Sequence, residues 1–277
     1  MTKYLELDFD PDSDQLHDVL DELCLWSAPF GLKLLDNILL KKGISVLDIG
    51  FCDGFPLTEL ALRLGQSSTI YGIDPWEAAI RRTKKKISIY NIQNVKIIEG
   101  VAENIPLDNN SIDLITSNNG INNVTDLNKS LQECFRILKS GGQFIQTMNL
   151  NSTMIEFYEI LGKVLQANRM ENELNKMKEQ IYKKRKPLDE FLQLLKQHGF
   201  SITNVMHDQF DYKFVDGTTL LNHYFIRFAF LSGWKNILPE SKQAEIFEII
   251  ESEMNNIAKI NGYFKLSVPF VLIDCTK

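Results

Sequence analysis

The chain predicts an α/β fold in which a mostly parallel sheet is covered by helices on both faces, and two observations carry that expectation. From Val46 to Met148 short apolar runs alternate with amphipathic helical stretches, the pattern of right-handed crossovers in a buried parallel sheet. The first run, Val46-Leu47-Asp48-Ile49, ends in Gly50 and then Gly54 before a helical pattern starts at Leu57. A strand, a glycine turn and a helix in that order let backbone approach a ligand at the carboxyl end of the strand.

Two helices are expected before the sheet. In the first, Leu16, Val19, Leu20 and Leu23 share one face behind Ser13; the second follows Ser27, carries Pro29 in its first turn and ends at Lys41, Lys42 and Gly43. Between them, Trp26 and Phe30 read either as a hydrophobic staple or as a tryptophan and a helix N-terminus facing the glycine turn. The alternating core then reads as strand 46–50, helix 56–65, strand 69–74, helix 76–90, strand 95–99, strand 112–117, helix 125–138 and strand 143–148. No long helix separates the third and fourth strands, and Leu138 to Gly142 reads as a helix C-cap. After Leu150 come a helix over 154–177, a helix over 188–198, a strand over 200–214, an aromatic helix over 218–234, an amphipathic helix around Ile246, Ile250 and Met254, and a strand over 264–274. With no repeat or flexible linker, one domain over 1–277 is expected. It divides into an N-terminal helical cap (1–42), a ligand-binding core (43–150) and remaining strands with helical lid insertions (151–277).

Composition excludes several classes. Thirty Lys and Arg against 36 Asp and Glu give a net charge of −6, which argues against a polyanionic main partner. The basic runs Arg81 to Lys86 and Lys183 to Lys186 are expected to be solvated helix faces. Cys24, Cys52, Cys134 and Cys275 have no CxxC or metal-like spacing, so neither a disulfide framework nor a metal site is expected. No apolar run approaches the ~18 residues of a membrane span, and the acidic N-terminus lacks a signal core. A cytoplasmic protein is expected.

The glycines at 50 and 54 are four apart, and Cys52 stands where a dinucleotide fingerprint has its second glycine, so this turn is a poor pyrophosphate cradle. Asp74, at the end of the second strand, is placed to accept hydrogen bonds from both hydroxyls of a ribose, with Pro75 and Trp76 offering apolar surface to a base. Together VLDIGFCDG, YGIDP, GVAENIPLDNNSIDLITSNNGINNV and LKSGGQF resemble, over roughly residues 40–150, the motifs of class I S-adenosylmethionine-dependent methyltransferases, and within them proteins similar to the quinone C-methyltransferases.

That resemblance implies a Rossmann-like, doubly wound, seven-stranded sheet with an antiparallel last strand. It also implies S-adenosylmethionine as cofactor, with Asp48, Gly50, Cys52 and Gly54 at its methionine end, Asp74 on the ribose, Val101, Ala102 and Glu103 at the adenine, and the carbonyl of Asn118 on the methionine amino group. Many relatives carry aspartate where Val101 stands. Asn118-Asn119-Gly120-Ile121 departs from the Asn/Asp-Pro-Pro-aromatic tetrapeptide of amino-group methyltransferases acting on DNA, RNA or glutamine. By elimination a small-molecule acceptor is expected, contacted by Asn119, Met148, Asn149 and Tyr224. Of His17, His198, His207 and His223, the last is the candidate general base. A non-catalytic cofactor-binding scaffold and a nucleic-acid methyltransferase are the alternatives, and a homodimer is left open.

Overall fold

The computed structural model describes Asp18 and residues 25–277. The expected first helix, with Ser13, Leu16, His17, Val19, Leu20, Leu23 and Cys24, lies outside the described residues. The chain forms two compact units, one of residues 1–148, 192–206 and 271–277 and the other of residues 149–191 and 207–270.

In the first unit, α1 (Ser27–Leu35) precedes β1 (Ser45–Ile49), α2 (Leu57–Leu64), β2 (Thr69–Asp74), α3 (Glu77–Ile89), β3 (Val95–Glu99), β4 (Ile112–Asn118), a 3-10 turn (Ile121–Asn123), α4 (Leu127–Ile137) and β5 (Leu138–Asn149). The sheet has the order β3-β2-β1-β4-β5-β7-β6, with β6 spanning Ser201–Phe214 and β7 spanning Phe264–Thr276. The strand pairs from β3 across to β5 are parallel. The last strand runs the other way: Gly141 N–H donates to the Lys277 carbonyl and Lys277 N–H to the Gly142 carbonyl. Chain order reverses between β1 and β4, which places a topological switch point at their carboxyl ends.

The helices form where apolar residues recur at helical spacing. Leu57, Leu60, Ala61 and Leu64 of α2 are buried and pack with Val46, Phe51, Ile70 and Leu114 in one core. In α3 the buried stripe is Ala79, Ile80, Thr83 and Lys86, which corrects the reading of 81–86 as a solvated face: the helical period turns two of its six residues inward. Two exposed members are paired, Arg81 with Glu77 one turn away and Lys85 with Asp18.

Two boundaries shift. Helix α1 ends at Leu35 rather than Gly43, because the Asn37 amide donates back to the Lys33 carbonyl and closes the turn. Leu138 is extended, with φ −68° and ψ 135°, and pairs with Ile112 before the register jumps to Leu114 and Gln143. The expected cap is therefore confined to Leu138, whose N–H donates to the Cys134 carbonyl, and 139–142 already belong to an irregular strand start.

The second unit contains α5 (Ile155–Ala167), α6 (Glu171–Lys184), the start of α7 (Leu188–Gln197), α8 (Gly217–Asn222), α9 (Tyr224–Ile226), a π-helical turn (Arg227–Leu231), α10 (Ser232–Lys235) and α11 (Glu240–Asn261), with residues 207–214 of β6 and 264–270 of β7. The expected helix over 154–177 is two helices. Arg169 takes φ 56° and the Asn168 amide caps the Val164 carbonyl, so the chain turns between them. The expected aromatic helix is also broken, at His223, whose φ −62° and ψ 129° are extended. No helix of the described residues is long and apolar enough to cross a membrane, and no group of three metal-ligating side chains occurs among them.

Candidate functional site

The carboxyl ends of β1, β2 and β4 meet in the first unit through backbone contact. Gly50, at φ 75°, donates its N–H to the Ile73 carbonyl at 2.9 Å. A Cβ on Gly50 would lie 3.0 Å from Gly120 Cα, and a Cβ on Gly120 would lie 2.5 Å from the Ile49 carbonyl oxygen. Only two glycines let these loops touch. Beyond them Cys52 is left-handed at φ 47° and is tied at both ends. Its N–H donates to Asp74 Oδ2 at 2.9 Å, and its carbonyl accepts from Thr83 Oγ1 at 3.0 Å. Thr83 also lies 3.2 Å from where a Cβ on Gly54 would stand, so α3 presses on the floor of the turn.

Two carboxylates define the site. Asp74 receives the Cys52 N–H on Oδ2 and the Trp76 N–H on Oδ1 at 2.8 Å; a carboxylate has about four acceptor positions, so further donors can bind. Asp48 is fully buried. Its Oδ1 accepts from Thr116 at 2.6 Å, whereas Oδ2 has no partner. Burial pushes its carboxyl up to about 7, against the Thr116 hydrogen bond and with a smaller contribution from the charge of Asp74. An orphaned acceptor beneath a glycine turn is the mark of an incomplete polar site.

Asn118 is structural through its side chain: Nδ2 donates to the Ser27 carbonyl at 3.2 Å and Oδ1 accepts from Thr147 at 3.1 Å. It holds the first turn of α1 at the end of β4, where Gly31 packs so closely on Phe55 that a Cβ would overlap the ring. Trp26, the N-cap residue of α1, and Phe30 meet at 5.6 Å between ring centroids. Asn119, at φ 55°, accepts from the Asn122 amide, so the asparagine run braces its own turn.

On the other side, Asp74 and Glu99 are register partners of β2 and β3. The loops after these two strands expose two apolar side chains, Trp76 and Val101, each at 45%, beside exposed Pro75 and buried Ala102. Glu103 plays a structural part, since Oε1 accepts from the N–H groups of Thr125 and Asp126 at 2.7 and 3.0 Å, steadying the start of α4.

Met148 is buried at the end of the first unit, whereas Asn149, His223 and Tyr224 belong to the second. His223 joins α8 to α9, its ring 5.4 Å from Phe214 and 4.9 Å from Tyr224, with Nδ1 buried and without a partner. His198 contacts Asn128, and His207 is exposed. Cys134 and Cys275 are buried, and burial raises both thiols, so neither is a nucleophile.

Sequence reasoning missed Thr83, Thr116 and Gly120. Thr116 left a trace as a hydroxyl inside an otherwise apolar strand; Thr83 was hidden in a basic run.

A family model described as "methyltransferase domain" matches residues 40–245. A demethylmenaquinone methyltransferase of Geobacillus is 32% identical over 122 residues, 43% of this chain and 51% of that protein; the chain thus spans about half the length of the curated relatives it matches. An S-adenosylmethionine-dependent methyltransferase of Aquifex aeolicus superposes over 72% of this chain and 93% of its own, with a TM-score of 0.51 and 20% identity. The geranyl diphosphate C-methyltransferase of Streptomyces coelicolor, solved with Mg2+, geranyl diphosphate and S-adenosylhomocysteine, superposes over 96% and 85%, with a TM-score of 0.55 and 15% identity.

Proposed function

The chain belongs to the class I S-adenosylmethionine-dependent methyltransferase family, and on that premise we propose that it transfers a methyl group from S-adenosylmethionine to a small, partly apolar molecule. The observation that carries the reading is the cradle: the Gly50 and Gly120 backbones in contact above Asp48, whose Oδ2 has no partner. These residues suit a cofactor with a cationic, polar methionine end, because the orphaned acceptor and the approachable backbone are what such a group completes. Asp74 is proposed to hold the ribose, Pro75, Trp76, Val101 and Ala102 to flank the adenine, and Asp48, Gly50, Cys52, Gly54 and the Asn118 carbonyl to hold the methionine half, with Trp26 over it. Glu103, engaged at α4, is the weakest member of the set.

Bound there, the cofactor supplies a methyl group on a sulfonium, a leaving group that is already activated. What this chain must contribute is alignment, and holding reactants in line supplies much of the acceleration in such displacements. The loops carrying Asp74 and Gly50 are pre-shaped by the Cys52 and Thr83 hydrogen bonds. We assign proton removal from the acceptor to His223, whose unpartnered Nδ1 can hold a proton, and acceptor contacts to Asn119, Met148, Asn149 and Tyr224. The quinone-methylating relatives favour an apolar acceptor, and the protein is proposed to act in the cytoplasm.

Calorimetric titration tests the cofactor site. Asp74→Ala removes two charge-assisted hydrogen bonds and is expected to weaken S-adenosylmethionine about 100-fold; equal affinity of the two proteins removes the assignment. For His223, turnover in His223→Ala equal to that of the wild type ends its role as base.

A further inference from the structure

Arg185 corrects the reading of Lys183 to Lys186 as a solvated run. Lys183 and Lys184 are exposed and Lys186 pairs with Glu190 at 3.6 Å, but Arg185, just beyond the end of α6, is only 5% exposed. Its guanidinium carbon stands 5.9 Å from the centre of the Tyr158 ring, and neither Nε nor Nη1 meets an acceptor. A guanidinium does not give up its proton, and an unpaired buried cation is among the least favourable groups a fold can hold.

What surrounds Arg185 compensates only in part. The Tyr158 ring face attracts a cation weakly, and its hydroxyl is already engaged, accepting from Trp234 Nε1 and donating to Gln180 Oε1, both at 3.3 Å. Two carboxylates on these elements are committed elsewhere. Glu156 on α5 takes the N–H and hydroxyl of Ser267, and Glu190 on α7 takes Tyr182 and Lys186. Next to Tyr158, Phe157 stacks on Trp234 at 3.8 Å, so the surroundings of Tyr158 are aromatic, and Arg185 Nε and Nη1 meet no carboxylate among the described residues.

We propose that Arg185 anchors an oxyanion-binding site in the second unit, and that its ligand is a small molecule bearing a carboxylate or a phosphate. The inference concerns this unit alone and stands independently of the methyl-transfer reading. The missing charge is the ligand's, and a guanidinium suits planar or tetrahedral oxyanions through paired N–H donors.

The test is calorimetric titration of the whole chain with inorganic phosphate and, separately, with benzoate, in chloride buffer of constant ionic strength. At least one probe is expected to bind one-to-one, at least tenfold more weakly to Arg185→Met and with intermediate affinity to Arg185→Lys. Binding of phosphate alone identifies a phosphate ester as the ligand class, and binding of benzoate alone an organic acid. In oxyanion-free chloride Arg185→Met is expected to melt at the wild-type temperature or above it, since an uncompensated charge has gone. Failure of both probes to bind the wild type overturns the proposal. So does equal binding by the wild type and Arg185→Met, or by Arg185→Lys should the methionine variant not fold. An Arg185→Met protein that melts clearly below the wild type also overturns it, because the cation would then be satisfied within the fold.

Discussion

Replacing Asp48 with asparagine should abolish the pH dependence that this one side chain imposes on folding. The buried carboxyl is pushed up from 3.8 to about 7, so the folded chain holds its proton more tightly than the unfolded chain does. Its contribution to stability is therefore fully present below pH 3.8, declines as pH rises, and is lost above about 7. Each pH unit in that window is worth about 1.4 kcal/mol, so the wild type should lose about 3 kcal/mol between pH 5 and pH 8.5 on account of Asp48. The asparagine side chain keeps an acceptor for Thr116 and places an unpartnered amide where Oδ2 was, a fixed cost of about 1 kcal/mol at every pH. By pH 5 the wild type has already lost about 1.7 kcal/mol, so Asp48→Asn should lie within about 1 kcal/mol of the wild type there and be more stable by about 3 kcal/mol at pH 8.5. Urea unfolding of the cofactor-free protein at the two pH values measures this directly, since every other titrating group is common to both chains. Stability curves that stay parallel between pH 5 and pH 8.5 would refute the reasoning, because they would mean that Asp48 is ionised and satisfied throughout.

Two further substitutions probe the cradle. Gly120 has an ordinary helical φ of −85°, so Gly120→Ala carries no backbone strain and acts through its Cβ at 2.5 Å from the Ile49 oxygen. A loss of about 1–3 kcal/mol in urea unfolding is expected, with cofactor affinity reduced at least tenfold; unchanged affinity would show that the Gly50 and Gly120 loops can part without harm. Thr83→Val keeps the volume and leaves the Cys52 carbonyl without its hydroxyl donor, at a cost of about 1–3 kcal/mol. Thr83→Ser should restore most of that stability, and equal melting of the valine and serine variants would count against the hydrogen bond.

The cofactor half of the fold was legible because its constraints are local backbone constraints. Gly50 and Gly54 announce a turn, Asp74 closes a strand, and strand and helix periods alternate without interruption from Val46 to Asp74. The Gly50–Gly120 contact was not legible: it joins residues on different strands, and nothing near Asn119-Gly120 says which backbone it will meet. Thr83 was concealed for another reason. The lysines and arginines around it read as surface, yet position 83 follows Ile80 on the buried stripe of α3, and helical phase outranks local composition.

Periodicity also misled where the backbone changes geometry without a change of residue type. From Thr218 to Trp234 apolar and aromatic residues continue at helical spacing, so nothing in composition marks the extended residue at 223 or the π turn over Arg227–Leu231. Both irregularities shift the helical phase of the residues after them, and the second-unit side chains assigned to the acceptor and its proton, His223 and Tyr224, lie at the first. Tyr224 comes out 71% exposed, while Nδ1 of its neighbour His223 is buried without a partner. The same holds for Arg185, which is buried because α6 stops at Lys184 and the chain bends. The cofactor cradle proposed here rests on backbone that its glycines prescribe in place. The ligand contacts proposed for the second unit rest on side chains aimed by breaks in helices, and a break one residue earlier or later would aim different ones.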